Sequence, residues 1–445
     1  MATSALTPTL AANAVTTTVP LTATRTAALP PAALPPGVLP PTLAELGVTA
    51  PTTDTFDAVA VIPVTSTLGQ PLWVAHTTGL RGYDPGGPHV VAVLNRPGDA
   101  WHVIDRMELG ADTADTAATP DPDGYYGPDY LGPESVAQAA IEPTHLWLTI
   151  DGGVGAHGGS FGVLSFDGAK LKLEAHAGNG FPGVGRVEDL DGDGIGEVIL
   201  DRTDAYVFCY ACGVREASVD VLKWRGDRLE SVTLQPLSGG DNAADAQRAL
   251  DAVSGGFWHA AYAFIHGAIQ EDPYRVQFFH PRPITATVIA SPSWEILMDD
   301  LMVIQANTEA RSALAGDDSA YPLLQRVFVG DWPAAVAPLR DISPERLFAP
   351  DSPLVSGTPA EGNVPALAER IATAAGRALV YGPTVVDGTS RFDLSHPAIL
   401  FLRGWSAWLA APGDAAARAD IAKAAELAPD DALYTGSAEW VAAQP

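Results

Sequence analysis

The chain is poor in positive charge. It has 25 lysines and arginines against 53 aspartates and glutamates, which gives a formal net charge of −28 at pH 7. Proteins that bind nucleic acids or anionic membranes do so through clusters of Lys and Arg. The composition therefore argues against both as partners, and it leaves cations, neutral polymers and other proteins.

Long apolar runs are also missing. A helix that crosses a bilayer needs about 20 consecutive apolar residues, and no stretch of the sequence approaches that length. We therefore predict no membrane-spanning segment. The 445 residues are enough for two or three domains, each with its own core.

Residues 1–52 have a single basic residue, Arg25, and no compact apolar segment, so they do not match a secretory signal. They are rich in Thr, Ala and Pro, a composition that favours a disordered, extended stalk. The segment resembles the tethers of bacterial surface lipoproteins. That resemblance implies an extracellular or cell-surface location and a lipid tether in the native precursor, and the alternative is an ordinary disordered tail.

Cysteine is scarce, since Cys209 and Cys212 are the only two. Two cysteines cannot supply the four ligands of a structural zinc site. A redox-active pair is expected at the start of a helix, whereas this pair follows a strand-like segment and precedes Gly213. We predict a structural disulfide in a short loop, with a free buried pair and a redox pair as the alternatives.

One segment carries an explicit chemistry, namely residues 189–197 with the sequence Asp-Leu-Asp-Gly-Asp-Gly-Ile-Gly-Glu. Four carboxylates and one backbone carbonyl lie at alternate positions of this loop, as required to surround one cation. Such hard oxygen ligands suit Ca²⁺, and the intervening glycines allow tight turns. The predicted ligands are Asp189, Asp191, Asp193, the carbonyl of Ile195, and Glu197. The alternative is a polar turn without a metal.

The loop differs from an EF-hand because its twelfth position is Leu200 and its flanks are rich in β-branched residues and glycine. These flanks predict a β-hairpin around the loop. Residues 187–200 resemble the calcium hairpin of FG-GAP and VCBS repeats, which form the blades of integrin-type β-propellers. The resemblance implies a bound calcium ion, to which we assign a structural role.

The remaining sequence divides into two parts. Residues 53–238 contain short β-type runs separated by turn residues, which predict a partial propeller-like or sandwich β-domain. After Gly239 and Gly240 the pattern becomes alanine-rich and helical. The predicted order is therefore a stalk over residues 1–52, a β-domain over residues 53–238 and an α-helical domain over residues 239–445.

Residues 399–429 resemble a tetratricopeptide repeat. Gly404 lies in the first predicted helix, Gly413 and Asp414 form the turn, and Ala417 and Ala424 lie on the second helix. Small residues at these positions allow paired helices to approach closely. The resemblance implies a surface for a protein partner or for self-assembly, and a generic array of helical hairpins is the alternative.

The best catalytic candidate is the glycine-rich segment 151–160, in which His157 and Ser160 are a possible base and nucleophile. It lacks the Gly-x-Ser-x-Gly pattern and a phosphate-binding lysine, so a β-turn is favoured. We predict a non-catalytic, extracellular calcium-binding protein with a structural or binding role, for example as a subunit of a surface assembly or filament. The alternative is a secreted hydrolase or carbohydrate-active enzyme with its site in the β-domain.

Overall fold

The structure is a computed structural model, and it describes residues 34, 36–48, 58–66, 68–80, 88–110, 127–240, 242–271, 292–314, 319–385 and 390–445. Three antiparallel sheets come first and a helical region follows, so the predicted order of β structure and then α structure is confirmed. Among the described residues, the last strand ends at Ser231 and the first α-helix begins at Ala243.

The strands are numbered here in chain order. They are β1 Val59–Val64, β2 Leu72–Thr77, β3 Gly79–Leu80, β4 His89–Asn95, β5 His102–Leu109, β6 Tyr130–Leu131, β7 Val136–Ala139, β8 Leu146–Val154, β9 Gly158–Phe166, β10 Leu171–Asn179, β11 Gly185–Glu188, β12 Glu197–Asp201, β13 Val219–Trp224 and β14 Leu229–Ser231. The first sheet has the order β1-β2-β4-β5, the second β10-β9-β8-β6-β3 with β7 also on β8, and the third β11-β12-β13-β14. Among the described strands the sheets form no closed barrel.

The three sheets stack as layers, and the second sheet is the middle one. Successive side chains of a strand point to opposite faces, and neighbouring residues of β8 accordingly enter different cores. Leu148 packs in a cluster with Val74 and Val91 of the first sheet. Trp147 packs in a cluster with Val198 and Leu222 of the third sheet. Both faces of the middle sheet are therefore buried.

The helices are α1 Ala243–Gly255, α2 Trp258–Glu271, α3 Pro292–Leu314, α4 Pro322–Phe328, α5 Trp332–Val336, α6 Pro344–Leu347, α7 Val364–Val385, α8 Ser390–Ala410, α9 Ala415–Leu427 and α10 Ala432–Ala442. α1 packs on α2 and α7, and α7, α8, α9 and α10 pack in succession. α3 covers the free face of the third sheet, where Met302 and Ala306 join a cluster with Ile199 and Val221. This helix therefore connects the two regions.

The close approach of α8 and α9 depends on Gly404. A Cβ atom at this position would lie only 2.8 Å from the carbonyl oxygen of Ala417 and 2.8 Å from Cγ1 of Ile421. Asp414 caps the start of α9 by accepting a hydrogen bond from the N–H of Ala417. Gly404 therefore permits the close approach of α8 and α9.

The predicted stalk differs from the structure near its end. Residues 36–48 pack on the outer face of the first sheet, where Leu46 is fully buried in a cluster with Trp73 and Leu94. The indole Nε1 of Trp101 donates a hydrogen bond to the carbonyl oxygen of Leu39 at 2.9 Å. Composition alone suggested disorder up to residue 52, whereas these contacts hold a segment that includes Pro40 and Pro41 against the first sheet. Residues 1–33 lie outside the described residues.

Candidate metal centre

The acidic loop connects the two strands of a hairpin. β11 and β12 pair in antiparallel register, with Glu188 opposite Glu197, and the intervening residues form the turn. Gly192 and Gly194 have φ angles of 77° and 85°. Residues other than glycine rarely adopt this left-handed backbone conformation, so the tight turns of the loop require glycine at these two positions. The loop thus lies at the turn of a β-hairpin, where the sequence pattern puts it.

Three of the carboxylates use one oxygen to hold the loop together. Asp191 Oδ1 accepts from the N–H of Asp193 at 3.1 Å, and Asp193 Oδ1 accepts from the N–H of Ile195 at 2.7 Å. Glu197 Oε2 accepts from the N–H of Leu190 at 2.9 Å. The second oxygen of each of these side chains accepts no hydrogen bond from the loop backbone.

Asp189 organises the first half of the loop. Its two oxygens accept hydrogen bonds from the N–H groups of Gly192 at 2.8 Å and Gly194 at 2.9 Å. One oxygen from each of Asp189, Asp191 and Glu197 lies within 4.8 Å of the other two, a spacing that can hold a metal ion. Three of the five predicted ligands therefore converge. The backbone N–H of Ile195 donates to Asp193 Oδ1, and the carbonyl of Ile195 remains a predicted ligand.

Glu197 is the most unusual group of the site. Its side chain is fully buried, and its Oε1 atom has no hydrogen-bond partner. Burial, together with the charges of Asp191 and Asp193, raises the pKa of Glu197 to about 7. A buried carboxylate oxygen without a donor is costly, and a cation held between Glu197 and Asp191 would supply the missing partner. The residues therefore fit a divalent ion.

A lysine from the neighbouring strand reaches into the same cluster. Lys223 Nζ lies 2.6 Å from Asp191 Oδ2, 3.9 Å from Glu197 Oε1 and 4.0 Å from Asp193 Oδ2. Burial opposes the charged form of Lys223, but the hydrogen bond and the charge of Asp191 outweigh it and raise the pKa of the ammonium group. Sequence reasoning missed this residue, which the pairing of Val198 with Leu222 brings beside Glu197.

The lysine also borders the helical region. A cavity of about 230 Å³ lies between the loop and α3, and Lys223, Glu295 and Asp299 are among its lining residues. Asp299 forms an ion pair with Arg225 at the end of β13. The adjacent Asp300 is fully buried, and its Oδ1 accepts from the N–H of Gln235 at 2.8 Å. Polar contacts therefore join α3 to the third sheet on this side.

Cys209 and Cys212 form a disulfide that closes a short turn. The turn holds Tyr210, whose ring stacks on the imidazole of His157 at a centroid distance of 5.8 Å. The turn follows β12 and lies outside any βαβ unit of the described chain. The bond spans a short 3-10 helix, Tyr210–Cys212, with Cys209 at its N-cap, and its structural role stays a prediction.

The catalytic candidates do not meet. His157 is exposed at the turn between β8 and β9 and stacks on Tyr210. Ser160 is 2% exposed within β9, and its hydroxyl has no hydrogen-bond partner. Because the two side chains are not hydrogen-bonded, they form no base and nucleophile pair in this structure.

In the part of the chain that the structure describes, no helix is both long enough and apolar enough to cross a bilayer. Comparison of the chain with protein-family models, with curated proteins and with solved structures finds no match.

Proposed function

We propose that this chain is an extracellular or cell-surface calcium-binding protein with a structural or binding role. The observation that carries the proposal is the fully buried Glu197, whose unpartnered Oε1 belongs to a group of ligand oxygens with Asp189 and Asp191. Lys223 Nζ lies 3.9 Å from this Oε1 oxygen, too far for a hydrogen bond, whereas a bound cation would coordinate it directly and so offset the cost of burying it. Carboxylate and carbonyl oxygens are the ligands that Ca²⁺ prefers.

In this proposal, Asp189, Asp191, Asp193 and Glu197 hold the ion together with the carbonyl of Ile195. The ion would supply positive charge to four carboxylates that the single charge of Lys223 only partly neutralises, and its binding free energy would add to the stability of the folded chain. Extracellular calcium modules need only weak affinity, of order 10⁻⁴ to 10⁻³ M.

The position of the loop indicates what such an ion would stabilise. Leu190, inside the loop, packs in an apolar cluster with Ile199 of β12 and with Met302 and Ala306 of α3. A loop fixed by calcium would therefore hold Leu190 in this cluster and stabilise the contact between the third sheet and the helical region. This role is structural and needs no substrate.

Three features support a location outside the cytosol. The disulfide between Cys209 and Cys212 suits an oxidising compartment. The strongly acidic composition suits a soluble surface protein, and the Thr, Ala and Pro-rich composition of residues 1–33 resembles that of the tethers of surface lipoproteins.

The domain types are part of the same proposal. The stacked antiparallel sheets support blade-like units related to FG-GAP repeats, with the calcium hairpin in the third sheet. The close pairing of α8 with α9 at Gly404 supports a tetratricopeptide-like arrangement. Such helical arrays bind proteins along their surfaces, so the helical region would bind a protein partner or a second copy of the chain.

Thermal melting of the full chain tests the calcium proposal. We expect the wild type to melt at a higher temperature with CaCl₂ than with a chelator, because a ligand at 100 times its Kd adds about 2.7 kcal/mol to stability. Asp191→Ala removes a ligand and should lose this calcium-dependent rise. Asp430→Ala changes an exposed acid between α9 and α10 and should keep it. An unchanged melting temperature of the wild type in chelator would contradict the proposal.

A further inference from the structure

We infer that the Lys223 ammonium group competes with the divalent cation for the carboxylates of the loop and thereby sets the calcium affinity of this protein. The inference rests on the proposed function and adds to it a residue from outside the loop. Lys223 would act as a built-in counter-ion, which neutralises the acidic cluster when calcium is absent and leaves it when calcium binds.

The geometry makes the two cations mutually exclusive. Nζ of Lys223 lies within 4.0 Å of oxygens from Asp191, Asp193 and Glu197. It is 2.6 Å from Asp191 Oδ2, which is near the upper end of the calcium–oxygen range of about 2.3–2.6 Å. An ion bound to these same oxygens would lie almost in contact with the ammonium group, so calcium has to displace it.

Burial strengthens the ion pair between Lys223 and Asp191, with which calcium has to compete. The Lys223 side chain is 16% exposed and that of Asp191 is 6% exposed. Water screens their attraction less than it screens an ion pair on the surface. The free energy needed to break this pair is subtracted from the free energy of calcium binding, so the observed affinity is lower than the oxygen ligands alone would provide.

A cavity next to Lys223 can accommodate its side chain after displacement. The cavity of about 230 Å³ between the loop and α3 is bordered by Lys223 itself and by the carboxylates of Glu295 and Asp299. Asp299 is already paired with Arg225, which also lines the cavity, so Glu295 is the acid left to receive the ammonium group. A lysine has a flexible four-carbon stem and a compact charge, so its ammonium group can turn from Asp191 towards Glu295.

Calorimetric titration of the full chain with CaCl₂ tests the inference, and Lys223→Met is the main variant. This substitution keeps an unbranched apolar side chain and removes the competing charge. We expect Lys223→Met to bind calcium about tenfold more tightly than the wild type, or more, which corresponds to about 1.4 kcal/mol. Lys223→Gln, which keeps a hydrogen-bond donor without the charge, should also bind calcium more tightly.

The matched control is Lys172→Met. Lys172 of β10 forms an ion pair at 2.8 Å with Glu174, whose side chain is 5% exposed. This variant removes the same charge and an ion pair of similar length from the second sheet, outside the hairpin and its sheet, although the Lys172 side chain is 60% exposed against 16% for Lys223. We expect it to bind calcium with the affinity of the wild type.

The outcomes separate this inference from the proposed function. If the wild type binds calcium and Lys223→Met binds it equally or more weakly, the hypothesis of competition is wrong, and the proposed calcium site is supported. If neither variant nor the wild type binds calcium, both ideas are wrong. If Lys223→Met is unfolded without calcium, recovery of its circular dichroism on adding CaCl₂ at lower concentration than the wild-type transition supports the inference, and no recovery overturns it.

Discussion

Asn307 of α3 binds both backbone polar groups of Val219, the first residue of β13. Its Nδ2 donates to the Val219 carbonyl oxygen at 2.9 Å, and its Oδ1 accepts from the Val219 N–H at 3.2 Å. Asn307 is 4% exposed and Val219 is 7% exposed. One amide side chain therefore pairs two buried backbone groups that would otherwise lack a partner, and it ties the helical region to the sheet that carries the acidic loop.

Asn307→Ala should destabilise the chain because it leaves the buried N–H and carbonyl of Val219 unpaired. We expect the free energy of unfolding to fall by at least about 1–3 kcal/mol, which is the cost of one unsatisfied buried group, since two are left. Urea denaturation followed by circular dichroism measures this. The control is Gln305→Ala on the same helix, where the side chain bonds only to Glu309 on the exposed side, and a change within about 0.5 kcal/mol is expected. Equal effects of the two variants would contradict the role of Asn307.

Asp300 should make stability depend on pH. Burial, helped by the charge of Asp299, raises the pKa of Asp300 to about 7, whereas an unfolded aspartate titrates near 4, so the folded chain binds the proton more tightly between these values. The stability contributed by the neutral acid is therefore lost as pH rises from about 4 to about 7, with a slope of at most about 1.4 kcal/mol per pH unit.

Asp300→Asn should remove this part of the slope because the amide stays neutral at every pH. The measurement is the urea midpoint of wild type and variant at about pH 4.5 and about pH 7.5, and the difference between the two proteins isolates Asp300 from other titrating groups. Asp341→Asn, at an exposed position, should leave the slope unchanged. A wild-type slope in Asp300→Asn would show that Asp300 is already ionised in the folded chain.

Gly404→Ala should destabilise the α8–α9 pair. The added Cβ would meet the Ala417 carbonyl oxygen at 2.8 Å, so the helices have to move apart, and overpacking of this kind typically costs about 1–3 kcal/mol. The matched control is Gly376→Ala in α7, where an added Cβ has no neighbour within 4 Å. There we expect stabilisation by about 0.4–1 kcal/mol, because alanine restricts the unfolded chain. Two changes of the same sign in thermal melting would refute this account of the helix contact.

The sequence could predict the features that depend on residues close together in the chain. The spacing of carboxylates and glycines in residues 189–197 determines a loop within one hairpin, and Asp189, Asp191 and Glu197 converge because they are close in the chain. The change from β runs to alanine-rich helices is likewise local. Both predictions use interactions between residues that are few positions apart.

Contacts between distant residues could not be predicted in this way. Lys223 reaches the acidic loop through the pairing of β12 with β13, and Asn307 reaches Val219 across 88 positions of the chain. The burial of both faces of β8 depends on two other sheets. The packing of Leu46 depends on Trp73 and Leu94, whereas the proline-rich composition around it suggested a stalk. In each case the partner is set by the tertiary arrangement.

Leu46→Ala tests whether the segment of residues 36–48 belongs to the folded β region. Leu46 is fully buried between Trp73 and Leu94, and truncation of a buried leucine costs about 2–5 kcal/mol. We expect the free energy of unfolding to fall by an amount within this range, and the fluorescence of Trp73 to change in the native state. The measurement is urea denaturation of the full chain followed by tryptophan fluorescence.

The control is Leu39→Ala in the same segment. The Leu39 residue is 80% exposed, and it contributes to the fold through its carbonyl oxygen, which accepts from Trp101. Because alanine keeps that carbonyl, the free energy of unfolding should change by no more than about 0.5 kcal/mol. If Leu46→Ala were as mild as Leu39→Ala, the segment would be an unpacked stalk after all. A large loss for Leu46→Ala alone would make residues 36–48 part of the first sheet's outer core.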